Sequence, residues 1–330
     1  MPPHSHPHWP QQRTIVTGGS GFLGSAIVRA LAARGAQSAN IHIVRSRTHD
    51  LTASQATADL LRTAFGPAGP TCIIHCAGAV GGIQANRDQP GRFFYANLAM
   101  TLNLGEQLRL SGFQSCALVQ VGSMTSYPAA APIPYREDDL FRGYPDPATA
   151  PYGLAKLAAW QMLDAYHRQY GLRAAYVVPV NLYGPGDNIS DVRNAHVAGS
   201  LVKRFVDARR AAAPEVVCWG TGSPTREFLY IDDAAEAVLR AAERALSGTG
   251  EPTPINLGSG REISIRDLAA LIARHSGYTG KITWDATKPD GQPRRCLDTS
   301  RAAQLLNWTA PTPLETGLQR TIEWYTRTCP

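Results

Sequence analysis

A short β-branched segment near the N-terminus runs straight into a turn of glycines and then into a helical pattern. Thr14-Ile-Val-Thr17 is followed by Gly18-Gly-Ser-Gly21-Phe-Leu-Gly24, and apolar residues with helical spacing continue to about Gly35. Glycines at these points allow a tight turn, close approach of the backbone to a pyrophosphate, and close packing of helix on sheet. The N-terminus of the helix also favours phosphate. The segment predicts a dinucleotide-binding unit with cofactor contacts from Gly18, Ser20, Gly21, Phe22, Leu23 and Gly24.

Further strand and helix patterns alternate along the chain. The strand-like segments are 40–44, 71–75, 116–121 and 176–180. This alternation predicts an α/β fold with a doubly wound, mostly parallel Rossmann sheet. After residue 184 the pattern becomes mixed. We expect a cofactor-binding Rossmann domain over residues 13–184 and a smaller mixed α/β substrate-binding lobe over residues 185–330, parts of which, such as 226–246, can pack back on the Rossmann domain.

The end of the second strand indicates which cofactor is used. A fold that prefers NAD places Asp or Glu there to hold the ribose hydroxyls, whereas this chain has Arg45-Ser-Arg47. Two guanidiniums suit a 2′-phosphate, so NADP(H) is favoured over NAD; the alternative is a solvated charged loop. Ala77 and Gly78 follow the third strand, and such small residues allow the backbone to approach a cofactor closely.

A tyrosine and a lysine lie four residues apart in a long helical pattern, Tyr152-Gly-Leu-Ala-Lys156. This spacing places both side chains on one helix face. An ammonium near a phenol lowers the phenol pKa from its usual value of about 10, which makes a proton donor usable near neutral pH. Ser123 ends a strand, where its hydroxyl can bond to a substrate carbonyl. Packing or a plain turn explains each feature alone, but their combination is more specific.

The composition narrows the class of protein. The net charge of +6 is spread over 330 residues, and this diffuse surplus favours small anionic substrates over nucleic acid. No apolar run approaches the roughly 20 residues that span a bilayer, and the N-terminus has no signal-peptide core. The six cysteines show no paired spacing, which indicates free thiols in a reducing cytoplasm.

Residues 1–12 are rich in proline and histidine. His4, His6 and His8 are candidate metal ligands, but the stretch is terminal and has no carboxylates. We therefore expect a disordered tail and no metal site.

Longer motifs resemble the GDP-L-fucose synthase family, the epimerase–reductases of the extended short-chain dehydrogenase group, to which the G-x-x-G-x-x-G spacing also points. The resemblance extends over nearly all of the chain from Thr14 onward. Its most specific motifs are Val80-Gly-Gly-Ile83, Asn181-Leu-Tyr-Gly-Pro185, Trp219-Gly-Thr-Gly-Ser-Pro-Thr-Arg-Glu-Phe228, Asn256-Leu-Gly-Ser-Gly260 and Lys288-Pro-Asp-Gly291.

The resemblance implies NADPH-dependent reduction of the C4 ketone of a nucleotide-activated 4-keto-6-deoxyhexose. Ser123 and Tyr152 would polarise the carbonyl, Tyr152 would protonate its oxygen, and Lys156 would tune the tyrosine and hold the nicotinamide ribose. Pro179, Asn181 and Leu182 would line the nicotinamide. The implied substrate-binding residues are Thr125, Asn181, His196, Arg204, Trp219, Arg226 and Lys288; for Arg204, Trp219 and Arg226 the alternative is a surface charge or a core aromatic.

One position departs from the family pattern. Epimerisation beside a ketone needs an acid and a base on opposite faces of a carbon, and the family uses a cysteine two residues after the serine together with a histidine. His196 matches the histidine, but Thr125 occupies the cysteine position. A threonine hydroxyl is too weak an acid for this exchange. Reduction without epimerisation is therefore expected, and His196 is either an acid–base group or only a sugar-binding residue.

Three alternatives remain open. The first is the complete epimerase–reductase reaction of GDP-L-fucose synthase, with another group in place of the thiol. The second is a nucleotide-sugar 4-epimerase with bound NAD, and the third is a non-catalytic cofactor-binding protein. Apolar surface on the helical patterns 92–110 and 152–170 also predicts a homodimer, although burial within one chain explains that surface almost as well.

Overall fold

A computed structural model describes residues 9–113, 115–189, 196–248, 251–288 and 290–329. Their strands are β1 (Thr14–Thr17), β2 (Ile41–Val44), β3 (Cys72–His75), β4 (Ala117–Val121), β5 (Ala174–Pro179), β6 (Asn181–Tyr183), β7 (Glu215–Trp219), β8 (Thr225–Tyr230), β9 (Pro254–Leu257), β10 (Glu262–Ser264) and β11 (Lys281–Asp285). Their α-helices are α1 (Phe22–Ala33), α2 (Ser54–Thr63), α3 (Ile83–Asp88), α4 (Pro90–Leu110), α5 (Ala150–Tyr170), α6 (Val197–Arg210), α7 (Ile231–Leu246), α8 (Ile265–Ser276), α9 (Ser300–Leu306) and α10 (Leu314–Thr328).

The central sheet has six parallel strands in the order β2-β1-β3-β4-β5-β9. Ile15 packs with Leu104 on one face, and Val16 packs with Ile27 on the other. Successive residues of a strand point to opposite faces of the sheet, so these two contacts report on the two faces. Both faces are therefore covered by helices. The predicted doubly wound α/β sheet is confirmed. The strand order reverses between β1 and β3, which creates a crevice at their carboxyl ends.

Two smaller sheets stand beside the central one. β10, β8 and β6 form a three-stranded sheet, and β11 pairs in parallel with β7. Between these segments the chain returns to the central sheet, where β9 pairs with β5 and α7 packs against α1. The domain boundary at residue 184 remains a prediction, since segments on both sides of it contribute to the same sheet.

Trp9 belongs to the folded core, although the sequence assigned it to a terminal tail. It is only 4% exposed, and its indole Nε1 donates a hydrogen bond to Glu243 Oε1 at 2.8 Å. Glu243 also pairs with Arg34 of the first α/β unit. An indole has a large apolar area and one donor, so a carboxylate that accepts this donor anchors the ring. Residues 1–8, including His4, His6 and His8, lie outside the described residues.

No helix in the described ranges is both long and apolar enough to cross a bilayer.

Candidate functional site

The glycine turn between β1 and α1 forms a backbone cradle at the crevice. Gly18 has φ +65°, and a Cβ there would lie 2.8 Å from the backbone nitrogen of Ala77. A Cβ on Gly24 would overlap the carbonyl oxygen of Gly18, which itself accepts a hydrogen bond from Gly21 N at 2.9 Å. Ser20 and Gly21 are exposed. The turn therefore presents open backbone at a helix N-terminus, which fits the pyrophosphate of a dinucleotide.

Three buried polar residues hold the facing turn after β3. Thr17 Oγ1 lies 2.6 Å from His75 Nδ1 and accepts a bond from Ala77 N at 3.2 Å. Asn97 donates to the carbonyl of Ala79 at 2.9 Å. Burial lowers the pKa of His75 to about 3, with Lys156 as the second cause, so the imidazole is neutral. The sequence analysis did not identify these three residues as supports of the turn. The feature that could have identified them is a polar residue inside an otherwise apolar strand or helix.

Arg45 and Arg47 follow β2 as exposed side chains. Neither guanidinium has an ion pair or side-chain hydrogen bond with any residue that the structure describes, so both are free to bind an anion. Their position at the carboxyl end of the strand next to β1 fits the adenosine side of a dinucleotide. The residues present therefore fit a cofactor that carries a 2′-phosphate.

The structure brings together Ser123, Tyr152 and Lys156. Ser123 directly follows β4, and Tyr152 lies in the first turn of α5, which begins two residues earlier than expected because Pro151 is tolerated there. The Ser123 side chain acts on the Tyr152 phenol in the direction that lowers its pKa, which places the two hydroxyls near each other. The Lys156 ammonium lies 5.9 Å from the centroid of the Tyr152 ring. A Cβ on Gly78 would lie 3.7 Å from Lys156 Nζ, so these groups face the dinucleotide cradle.

The pKa of Tyr152 corrects one expectation. Burial raises it to about 12, and the Ser123 side chain acts in the opposite direction. Burial also lowers the pKa of Lys156 to about 8, against a raising influence of Cys76. The expected lowering of the phenol pKa by Lys156 is therefore wrong in this structure, because the phenol is removed from water and burial disfavours the phenolate.

Thr125 belongs to the same hydroxyl cluster. Its Oγ1 lies 2.9 Å from Ser123 Oγ, and its backbone N donates to Ser123 Oγ at 3.2 Å. A side chain at Gly153 would overlap the carbonyl oxygen of Thr125. The first turn of α5 thus rests directly on the Ser123–Thr125 turn, which fixes Tyr152 relative to both hydroxyls.

His196 belongs to a different segment from this cluster. It is exposed and precedes the first residue of α6, and no hydrogen bond among the described residues joins it to Ser123 or Tyr152. Burial raises the pKa of nearby Asp187, and the charge of His196 lowers it. In this structure, the residue with which His196 interacts electrostatically is therefore Asp187, and not Tyr152.

The predicted contacts around the nicotinamide lie on the strands next to the cluster. Pro179 ends β5, whereas Asn181 and Leu182 belong to β6. The Asn181 amide donates to the carbonyl of Glu227 at 3.1 Å. This bond ties the segment to the smaller sheet and orients the Asn181 side chain.

The remaining predicted substrate residues lie on α6, β7 and β8 and in the loop after β11. Trp219 is 67% exposed, Lys288 is exposed, and the Arg204 guanidinium donates to the carbonyl of Val217 at 2.7 Å. Burial lowers the pKa of Arg226, and the neighbouring Arg295 lowers it further. Asp146 lies 3.7 Å from Arg295, and Asp290 and Glu262 act on Arg226 in the raising direction, so carboxylates offset part of the repulsion between the two guanidiniums. Guanidiniums placed side by side in this way also suit a diphosphate.

Two loops that carry these residues are joined. Asp290 accepts bonds from Thr221 N and Oγ1, both at 2.7 Å, and a Cβ on Gly291 would lie 3.5 Å from an Arg226 nitrogen. The loops after β7 and β11 are therefore held together beside Arg226. In the described part of the chain, no group of three or more His, Cys, Asp or Glu side chains is arranged to hold a metal ion.

Comparisons with known proteins agree with this arrangement. A model of the NAD dependent epimerase/dehydratase family matches residues 14–258. GDP-L-fucose synthase of Escherichia coli (strain K12) is 38% identical over 323 residues, covering 96% of this chain and 97% of that protein. Probable GDP-L-fucose synthase 1 of Oryza sativa subsp. japonica is 38% identical over 318 residues, with 95% and 92% covered. MlghC, a GDP-mannoheptose C4 reductase from Campylobacter jejuni with NADP bound, matches with a TM-score of 0.83 at 27% identity, covering 96% of this chain and 98% of that one.

Proposed function

The chain belongs to the NAD dependent epimerase/dehydratase family, and on this basis we propose that it reduces the C4 ketone of a nucleotide-activated 4-keto-6-deoxyhexose with NADPH. The observation that carries the proposal is the grouping of Ser123, Tyr152 and Lys156 at the edge of the glycine cradle. Similarity to GDP-L-fucose synthases over 95–96% of the chain supports the sugar-nucleotide class of substrate.

Each part of the site has a role in this reaction. NADPH supplies the hydride when bound. The turn from Gly18 to Gly24 would hold its pyrophosphate, and Arg45 and Arg47 would hold its 2′-phosphate. Ser123 and Tyr152 would donate hydrogen bonds to the C4 oxygen of the sugar, and Tyr152 would give up its proton as that oxygen gains charge. Lys156 would hold a ribose hydroxyl.

The proposed reaction stops at reduction. Thr125 offers a hydroxyl where an epimerase needs an exchangeable acid, and its side chain is engaged with Ser123. The second candidate is the bifunctional reaction of GDP-L-fucose synthase, which is favoured by the similarity to such enzymes and by the presence of His196.

One experiment tests both candidates. The protein is incubated in deuterated water with NADPH and GDP- or dTDP-linked 4-keto-6-deoxyhexose, and the product is analysed by NMR. We expect NADPH oxidation without deuterium at C3 or C5. Deuterium at both carbons would establish the bifunctional reaction, and failure to oxidise NADPH with either sugar would reject the reductase.

Replacement of Arg45 tests whether the protein prefers NADPH to NADH. We expect Arg45→Ala to raise the KM for NADPH by about 10-fold or more and to leave the KM for NADH unchanged, because a hydrogen bond to a charged group contributes roughly 1.5–3 kcal/mol. Steady-state kinetics with both cofactors measure this. Arg62→Ala, which removes an exposed arginine of α2 paired with Asp59, is the control. Equal losses with NADPH and NADH would contradict the assignment.

The pKa of Lys156 leads to a prediction of how the reaction rate depends on pH. The pKa of its ammonium is lowered to about 8, so the charged form prevails below this pH and is lost above it. If the ammonium holds the ribose, kcat/KM falls as the pH rises through about 8. A pH–rate profile at fixed ionic strength measures the effect. A profile that stays flat to pH 10 would show that the charge of Lys156 is not needed.

We also propose that the protein forms a homodimer through α4 and α5. Exposed apolar side chains on α4 include Tyr95 at 62%, Leu110 at 59%, Phe94 at 40% and Leu102 at 39%. Burial of such a surface against a second copy is favourable. Sedimentation of the protein and of a Tyr95→Glu, Leu102→Glu variant tests this.

All six cysteines are free thiols, which fits a reducing cytoplasm.

A further inference from the structure

Asn256 is a buried polar residue at the centre of a hydrogen-bond network. It lies in β9 beside Val178 of β5 and is 0% exposed. Its amide nitrogen donates to the carbonyls of Tyr135 and Asp298, both at 3.0 Å, and its amide oxygen accepts from the Tyr127 phenol at 2.7 Å. Because carbonyl oxygens only accept hydrogen bonds, the nitrogen must face them. The orientation of the amide is therefore determined, and its oxygen is directed at the phenol.

The phenol bound by this amide belongs to the segment Ser123–Tyr127, which we call the serine turn. Ser126 N donates to the carbonyl of Ser123 at 3.0 Å, so the turn is closed by its own backbone. The Ser126 hydroxyl donates to a backbone carbonyl of α5 at 2.8 Å. The Tyr127 ring is 3% exposed and stacks on the Tyr135 ring, with centroids 4.9 Å apart. The turn is thus held by α5 on one side and by β9, through the phenol, on the other.

The network continues from Asn256 to the strand that carries Arg226. Asp298, which accepts from the Asn256 amide, directly follows Leu297. Leu297 N donates to a carboxylate oxygen of Glu227 at 2.7 Å. Glu227 is 0% exposed and is the residue after Arg226 in β8. Hydrogen bonds and adjacent peptide units therefore connect the serine turn with the strand of the predicted diphosphate contact.

We propose that Asn256 is a positioning residue, which acts through Tyr127 and fixes the place of the serine turn relative to β8. This inference rests on the proposed reductase function. The diphosphate of the substrate would be held at Arg226, while its keto group must reach Ser123. The rate then depends on the distance between two segments that are far apart in the chain. A misplacement of about 1 Å in such an arrangement can lower a rate by about 100-fold.

Other contacts hold the same loop, so loss of the phenol should not release it. Asn256 N donates to Glu137 Oε1 at 2.9 Å. Tyr135 N donates to the carbonyl of Cys296 at 2.8 Å, and Asp298 N donates to the carbonyl of Tyr135 at 2.9 Å. One buried hydrogen bond is also small beside the stability of a domain. A variant without the phenol should therefore fold, with the serine turn displaced.

The test is Tyr127→Phe, which keeps the ring and its stacking but removes the bond to Asn256. We expect kcat for reduction of the keto sugar to fall about 10-fold, because the turn loses its fixed distance from β8. The dissociation constants of NADPH and of the sugar nucleotide should stay unchanged. The rate is expressed per NADPH-binding site, counted by titration of the dihydronicotinamide fluorescence. A smaller folded fraction alone would then leave kcat unchanged.

The matched control is Tyr325→Phe. Tyr325 lies in α10, is 3% exposed, and donates a hydrogen bond from its phenol to Asp207 at 3.1 Å. Both variants lose one phenol bond of a buried tyrosine, so both should have a lower melting temperature. Only Tyr127→Phe should have a lower kcat per site.

A double-mutant cycle with Arg226→Ala tests the connection to β8. Substitutions at independent sites have additive effects, whereas those in one hydrogen-bond network are coupled. We expect the fold-loss in kcat/KM caused by Arg226→Ala to be at least about 3 times smaller in the Tyr127→Phe protein than in the wild type.

The outcomes separate the two proposals. A wild-type protein that reduces neither keto sugar would reject the reductase function and this role of Asn256 with it. With an active wild type, an unchanged kcat per site in Tyr127→Phe would reject only the positioning role. An equal loss in Tyr325→Phe, a loss confined to substrate binding, or additive effects in the cycle would reject it as well.

Discussion

Replacement of Tyr152 by phenylalanine is expected to lower kcat for ketone reduction by about 10²–10⁴-fold, the usual contribution of a positioned general acid. The phenol is the group that delivers a proton in the proposed reaction, and phenylalanine keeps the ring but has no hydroxyl. The ring packs edge-on against Phe93, with centroids 6.4 Å apart, so the shape of the site should survive. Single-turnover oxidation of NADPH measures the rate of the chemical step.

The binding of NADPH provides the control for this variant. Tyr152→Phe should bind NADPH as the wild type does, measured by the fluorescence of the dihydronicotinamide, because the cradle lies on other segments. If the variant reduces the keto sugar at the wild-type rate, another group supplies the proton and the proposed mechanism is wrong.

Substitution of Gly24 by alanine is expected to destroy the cofactor site. A Cβ at this position would overlap the carbonyl of Gly18 and lie 2.7 Å from the Cα of Gly19. Both neighbours are backbone atoms of the turn, so the helix or the turn must move. Overpacking of this kind costs about 1–3 kcal/mol of stability, and occasionally more. We expect a lower melting temperature and no saturable binding of NADPH.

Gly91→Ala is the matched control. Gly91 lies in α4, and a Cβ there meets nothing within 4 Å. Alanine should leave NADPH binding unchanged and should stabilise the helix by roughly 0.5–1 kcal/mol. If Gly24→Ala also binds NADPH normally, the turn tolerates displacement and its close packing is not required for function.

The features that the sequence predicted well are those encoded within a few residues. The glycine turn and the Tyr152–Lys156 pair depend on local spacing, and Ser123 follows a recognisable strand. By contrast, the bond between Thr17 and His75 joins residues 58 positions apart, and the anchor of Trp9 on Glu243 spans 234 positions. Such contacts depend on the packing of distant elements, which a local pattern does not contain.

The error about the pKa of Tyr152 has a different physical origin. Helical spacing correctly predicted that Lys156 lies near the phenol, but spacing gives no information on desolvation. Lys156 is only 3% exposed, and removal from water disfavours both the ammonium and the phenolate. Whether two neighbouring groups stabilise each other's charges depends on how much water reaches them, and this follows from the complete fold.

The return of the chain to the central sheet has a consequence for synthesis on the ribosome. β5 borders β9, which comes much later in the chain. A nascent chain that has emerged only to residue 184 therefore leaves one edge of β5 unpaired and the surface of α1 that receives α7 uncovered. Unpaired edges and bare apolar surface favour aggregation. We expect the first half of the polypeptide to depend on chaperones until the segment through Leu257 has been released.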